Sequence, residues 1–132
     1  MLPTKTADTS ANQRGAIIAE FAVILPLLII LVFGVIEMSI AFNRHQAVHA
    51  AAREGARVAS IPGVSAADAC NRTNDALTGI NFDNNPNCAV SGDCSGNSES
   101  VDVTVSADHT INLIFVSAIN VTLSGEATFR CE

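Results

Sequence analysis

The sequence predicts an α+β protein. A long N-terminal helix, membrane-grade in its first half and water-compatible in its second, is followed by a small disulfide-bonded module with a short helix and a two- or three-stranded antiparallel sheet. Three observations lead there: Phe21–Ile36 contains no charged residue, all four cysteines lie after that run, and the last third of the chain twice shows strict apolar/polar alternation. The layout divides into a leader over residues 1–15, a helix over 16–61 with its membrane segment at about 17–42, and an outer module over 62–132.

Around Phe21–Ile36, Ala16–Ala19 and Met38–Phe42 extend the apolar run, which is interrupted only by Glu20 and Glu37. About 20 apolar residues suffice to cross a hydrocarbon core roughly 30 Å thick, so the run spans a bilayer unaided. Helix continued to Ser60 would be about 45 residues, or roughly 68 Å long, and must leave the bilayer. Pro26 and Gly34 inside the run are compatible with an ordinary membrane helix and equally with a helix that bends or locally melts on changing surroundings. Glu20 is a costly carboxylate at this depth and therefore a functional candidate. An interfacial position at the positive helix end would be worth only about 0.3–1 kcal/mol. Glu37, at the other edge, reads as a solvated interfacial acid.

The polar segment Met1–Arg14 lacks periodicity and reads as a disordered tail, with Lys5 and Arg14 flanking the run. By the positive-inside tendency this keeps the N-terminus cytoplasmic, although Arg44, Arg53 and Arg57 follow on the other side. A cleaved signal peptide ending at Ser39-Ile40-Ala41 is the competing account, but the apolar run is about twice the usual 7–15 residues and Glu20 would have no role.

Beyond Phe42 the helix changes character. Asn43, Ala47, Ala51, Gly55 and Ala59 recur every four residues as a stripe of small side chains that permits close backbone approach. His45, His49, Arg53 and Arg57 recur at the same interval as a cationic ridge. Like charges so spaced repel, so the ridge calls for an anionic counterpart, either lipid phosphates or the acidic module, unless the face is simply solvated. The paired histidines lack a third ligand, and no metal is expected.

Ile61-Pro62-Gly63 stops this helix. Ser65 with Asp68 forms a weak capping box for a short helix through about Thr78, ended by Gly79. Asn81–Ser100, rich in Asn, Gly, Ser and Asp, reads as loop pinned by Cys88 and Cys94. Val101, Val103 and Val105 mark a strand, and Ile119, Val121, Leu123, Ala127, Phe129 and Cys131 mark a longer final one. Thr110–Ala118 fits either strand or helical turn. Cys70, Cys88, Cys94 and Cys131 read as a disulfide framework in an oxidising compartment, which places the module outside the cytoplasm. Inward placement of Cys70 and Cys131 favours pairing them, with Cys88 to Cys94, while Cys70–Cys88 with Cys94–Cys131 stands nearly level. Asp93, Ser95, Asn97 and Glu99 offer alternate oxygens for calcium, but the spacing departs from the EF-hand pattern and a plain hydrophilic loop is the preferred reading.

Net charge is -6, with nine acidic side chains after Pro62 against Arg72 and Arg130, which argues against nucleic acid as partner. No nucleophile elbow, phosphate loop or metal motif is present, and no catalytic residues are assigned. The expectation is a protein that is not an enzyme and carries no cofactor.

Arg14-Gly15-Ala16-Ile17-Ile18-Ala19-Glu20-Phe21 resembles the processing site of type IV prepilins: a basic residue and Gly, a cut after the Gly, then Glu as the fifth residue beyond it. Phe21 resembles the aromatic that follows this Glu in the tight-adherence (Tad) class. Ala51-Ala52-Arg53-Glu54-Gly55-Ala56-Arg57 resembles the AREGAR signature of TadE-like proteins, minor pilins or pseudopilins of the Tad pilus. The resemblance covers Arg14 to about Ser60. It implies that a prepilin peptidase removes residues 1–15 and that the Glu20 carboxylate pairs with the new Ala16 ammonium of a neighbouring subunit. It further implies an inner-membrane, single-pass subunit with other pilins and an assembly platform as partners, serving surface adherence. In this setting Pro26 bears on assembly. The alternative is a stationary membrane-anchored periplasmic binding protein.

Overall fold

The computed structural model describes residues 9–95, 99–112 and 117–131, with side chains from Gly15 onward. Its elements run α1 (Thr9–Ala59), α2 (Ala66–Ala76), β1 (Asn87–Ser91), β2 (Ser100–Ile111) and β3 (Ile119–Arg130). Internal contacts divide the chain into two units that meet at Ile36 and Glu37. Within the first, the apolar side chains of α1 stand exposed, Val23 at 77% and Leu27 at 66%. Among the described residues this is the one helix long and apolar enough to cross a membrane. Pro26 is accommodated without interrupting the helical assignment. The reading of Met1–Arg14 as a disordered tail is corrected in part, because α1 already runs from Thr9. Extending an existing helix adds one hydrogen bond per residue ordered, so no new nucleation is needed. Residues 1–8 lie outside the described residues.

The second unit is an antiparallel meander in the order β1-β2-β3 with both helices represented. Register fixes its inner face. Val101, Val103, Val105, Ala107 and His109 of β2 stand opposite Phe129, Ala127, Gly125, Leu123 and Val121 of β3, while Cys88 and Val90 of β1 meet Val105 and Val103. These β2 positions are buried, and with Leu123 and Ala127 they share a core with Val48, Ala51, Ala52, Ala56 and Ala59 of α1 and Ala69 and Leu77 of α2. The largest fully buried side chains are only Val48, Val101, Val103, Val105 and Thr73, so the core is thin. On the opposite face short polar pairs bridge the strands: Thr128 donates to Asp102, Thr122 to Asp108 at 2.7 Å, and Thr110 to Asn120 at 2.7 Å.

Two glycines set the helix–sheet and helix–helix separations. A Cβ on Gly125 would lie 2.9 Å from both the Cα and the N of His49, so β3 crosses almost directly on the α1 backbone. A Cβ on Gly55 would lie 2.1 Å from the Thr73 Oγ1, where α2 rests on α1. Thr73 turns that hydroxyl inward and donates it to the Ala69 carbonyl at 3.0 Å, so no polar group is stranded in the contact.

The short helix begins with the expected cap: the Asp68 N–H donates to the Ser65 Oγ at 3.2 Å, and the Ser65 hydroxyl donates to the Asp68 carboxylate at 2.6 Å. Two expectations are corrected. Asn81–Ser100 is not all loop, since Asn87–Ser91 forms β1. Cys88 and Val90 are its only apolar inward positions, too few for periodicity to signal a strand, and pairing with β2 creates it. The favoured pairing of Cys70 with Cys131 and Cys88 with Cys94 is likewise overturned, because the bridges are Cys70–Cys88 and Cys94–Cys131. Once β1 lies beside β2, Cys88 faces α2 with its Cα 5.7 Å from that of Cys70. The antiparallel register then brings the start of β2 to the end of β3, where the Cys131 N–H donates to the Glu99 carbonyl at 3.1 Å and Cys94 is within reach. Closing loops with separations of 18 and 37 residues is worth about 3–4 kcal/mol each by chain-entropy arguments, a large supplement to a small core.

Gly125→Ala should lower the stability of this unit by about 1–3 kcal/mol, since a backbone, not a flexible side-chain tip, must yield. Gly55→Ala should act in the same direction by displacing Thr73. Ser124→Ala, on the exposed face of β3, should be neutral within about 0.5 kcal/mol. Denaturant titration of the sheet's circular dichroism checks all three.

Candidate functional site

The residues singled out by sequence occupy two stretches of α1. Gly15, Ala16, Glu20 and Phe21 are exposed on its first turns, with Phe21 at 58%. Nothing lies within 4 Å of where a Gly15 Cβ would be. Pro26 is also exposed. In the single chain this face is open to an enzyme or to another helix.

On the outer half, the small-residue stripe and the cationic ridge have different surroundings. Ala51, Gly55 and Ala59 are buried and Ala47 is half-buried against the chain's own second helix and sheet, whereas Asn43 is exposed. His45 and His49 are half-buried, their rings edge-to-face with centroids 4.6 Å apart. Arg53 is exposed. Arg57 meets a carboxylate on its own helix: its Nε donates to the Glu54 Oε2 at 3.1 Å, and its Nη2 to Oε1 at 3.4 Å. Arg72 of α2 reaches the same carboxylate, Nη2 to Oε1 at 2.8 Å. The carboxylate that Arg57 meets is therefore on α1 itself, neither lipid phosphate nor an acid of the outer module. It is placed by Gly55: the close contact of Gly55 with Ala69 and Thr73 brings Arg72, on the same face of α2, alongside Glu54.

The two guanidiniums hold the Glu54 carboxyl down at about 2, hydrogen bonds from Arg57 and then Arg72 being the main causes. With the Glu54 side chain 32% exposed, water screens these charges, so the fork aligns the helices more than it strengthens the fold.

A second polar contact was not legible in the sequence. Arg44, half-buried on α1, directs its Nη1 to the ring nitrogens of His109, the buried histidine of β2, with Nε2 at 3.4 Å and Nδ1 closer. The ring nitrogen facing a guanidinium must act as acceptor. Asp83 completes this corner: hydrogen bonding with Thr110, helped by the nearby charge of Arg44, keeps its carboxyl below the usual carboxylate range. The i,i+3 spacing of Glu54 and Arg57 is a local signal that could have revealed their pair, whereas Arg72, Asp83 and His109 meet their partners only through tertiary packing.

Of the calcium quartet, Asn97 lies outside the described residues. The Asp93 Oδ1 accepts from the Ser95 N–H at 2.8 Å, and the Ser95 Oγ accepts from the Gly63 N–H at 3.2 Å. These oxygens serve the turn itself. Among the described residues no group of three or more His, Cys, Asp or Glu side chains could hold a metal ion. All four cysteines are engaged in the two bridges.

Residues 15–57 match the family model described as TadE-like protein. The matched segment begins at Gly15 and ends at Arg57, so it takes in the exposed first turns, the apolar run and the Glu54–Gly55 contact, and leaves α2 and the sheet outside. No curated protein and no solved structure gives a significant match.

For the Glu54 fork the sign follows from a depressed folded-state value. Its contribution is fully present above the ordinary value of 4.5 and is lost as pH falls toward about 2. Acid titration of stability should show a loss across that window in the native chain and a smaller slope in Glu54→Gln.

Proposed function

We propose that this chain is a structural subunit associated with the Tad pilus, a minor pilin or pseudopilin of the TadE-like kind, made as a membrane-anchored precursor and processed after Gly15. The observation that carries the reading is the family match, which starts at Gly15 and runs through Glu20, the apolar run and the AREGAR stretch. The exposed positions of Gly15, Ala16, Glu20 and Phe21 support it, since a peptidase and a neighbouring subunit both need that face. In this reading Ile17–Phe42 spans the inner membrane with the N-terminus cytoplasmic. Two disulfides in the outer module agree with an oxidising compartment on the far side.

The role is structural, not catalytic, and its partners are the prepilin peptidase, other pilus subunits and the membrane assembly platform. Removal of the leader creates an ammonium on Ala16. In a helix bundle, where an unpaired charge is costly, pairing that ammonium with the Glu20 carboxylate of a neighbour sets register more than it adds affinity. Pro26 and the exposed apolar side chains around it form the bundle contact, and the filament serves surface adherence.

Intact mass measurement of the chain from its host should give a protein beginning at Ala16, and the full precursor when the peptidase is deleted. Retention of Met1–Gly15 in peptidase-positive cells would instead favour a stationary periplasmic anchor. Glu20→Ala should insert normally yet be absent from sheared pili; its normal recovery there would remove the register role.

A further inference from the structure

A cleft of about 420 Å³ lies where the apolar run of α1 ends, lined by Ser39, Ile40, Asn43 and Arg44 of α1 and by Gly79, Ile80 and Asn81 of the α2–β1 connection. Its composition is graded. Ser39 and Ile40 belong to the apolar run itself, Asn43 and Arg44 are the first polar positions after it, and Asn81 is exposed at the rim. Its walls are held in place. Buried Leu77 caps α2, its carbonyl accepts the Ile80 N–H at 3.1 Å, and Gly79 turns the chain at φ 89°, a conformation open to glycine. Across the cleft the His109 contact fixes one nitrogen of the Arg44 guanidinium. A guanidinium carries five N–H donors in a planar fork, so donors remain on Nη2 and Nε.

We infer that this cleft seats the headgroup of a bilayer phospholipid, with its phosphate on Arg44, so that the Gly79–Asn81 connection rests on the membrane surface. The inference rests on reading Ile17–Phe42 as the membrane span. Given that reading, Ile40 lies at the hydrocarbon edge and anything beside it is at headgroup depth. The cleft is therefore walled in part by Ser39 and Ile40, the last turns of the span, and a phospholipid is the molecule whose apolar and anionic parts meet at that depth. Arg is suited to the phosphate because its fork can give two parallel hydrogen bonds. The surrounding module is acidic, with Asp83 close to Arg44. Attraction is consequently local, one guanidinium to one phosphate, and not the pull of a broad positive field. The consequence is a module seated on the bilayer by a second contact beside the span, which restricts its tilt on the membrane surface.

The chain contains no Trp, so single tryptophans report depth without background. The full chain is reconstituted in phosphatidylethanolamine/phosphatidylglycerol vesicles whose acyl chains are brominated either near the headgroup or near the chain end. Three variants are compared: Leu28→Trp in the span, Asn81→Trp at the cleft and Ser124→Trp on the exposed face of β3. Asn81→Trp should be quenched by bromine near the headgroup at least about twofold more than Ser124→Trp. Adding Arg44→Gln should bring it down to the Ser124→Trp level, whereas Arg44→Lys, which keeps the charge, should retain most of the quenching. Equal quenching of Asn81→Trp and Ser124→Trp, with Leu28→Trp still quenched, would overturn the docking and leave the membrane span standing. An unquenched Leu28→Trp would overturn both. Insensitivity to Arg44→Gln would overturn the assignment of the phosphate to Arg44.

Discussion

The contact between small side chains of α1 and the elements laid on it governs the second unit. Gly55 beneath Thr73 and Gly125 above the His49 backbone permit separations that a single methyl group would prevent. Because the core is built of Val and Ala, little apolar surface is available, and close backbone approach is the remaining way to gain dispersion contacts in a small fold. The helix thus carries two different surfaces along one continuous element: exposed aliphatic and aromatic side chains over residues 17–36, then alanine and glycine packed under a sheet. The requirement for smallness explains why the outer stretch is so rich in Ala. It also explains why the disulfides are placed as they are, one tying α2 to β1 and the other tying the β1–β2 loop to the end of β3.

Polar groups around this core reinforce the same placements. Glu54 and Arg72 flank the Gly55–Thr73 contact, and Arg44 and His109 join α1 to β2 at the corner that Asp83 completes. Each joins α1 to a different element. Arg44 and Glu54 are only half-buried, so water screens both contacts, but together they define how α2 and the sheet are oriented on the helix. The Glu and Gly of the AREGAR stretch therefore have a physical explanation: the glycine admits α2, and the glutamate receives the arginine that comes with it.

Much of this architecture is legible in the sequence, and what is not has a common cause. The uncharged run, the Ser65 cap and the period-two alternation of Val101, Val103 and Val105 are local patterns, each readable within a few residues. β1 carries only Cys88 and Val90 as inward apolar positions, so its existence depends on β2, nearly a turn of the meander away. The disulfide pairing follows from β1 and is no more legible than that strand. Cys70 and Cys131 both occupy positions that read as inward, but two inward faces need not be adjacent. For the α1 sites the pattern showed which residues were small or charged, while the neighbour of each came from α2 or β2. The small-residue stripe illustrates this, since its spacing says only that something packs closely, and within this chain Ala51, Gly55 and Ala59 meet its own α2 and sheet.

The outer half of α1 is part of the module's core, packed with the sheet, and not a stalk to which an independent domain is attached. Hydrogen exchange of the full chain in lipid nanodiscs under increasing denaturant measures this directly. The account predicts that the amides of Val48–Ala59 and those of Val101–Ala107 lose protection together, in one transition. Loss of protection by the strands while Val48–Ala59 stays protected, or the reverse, would contradict it.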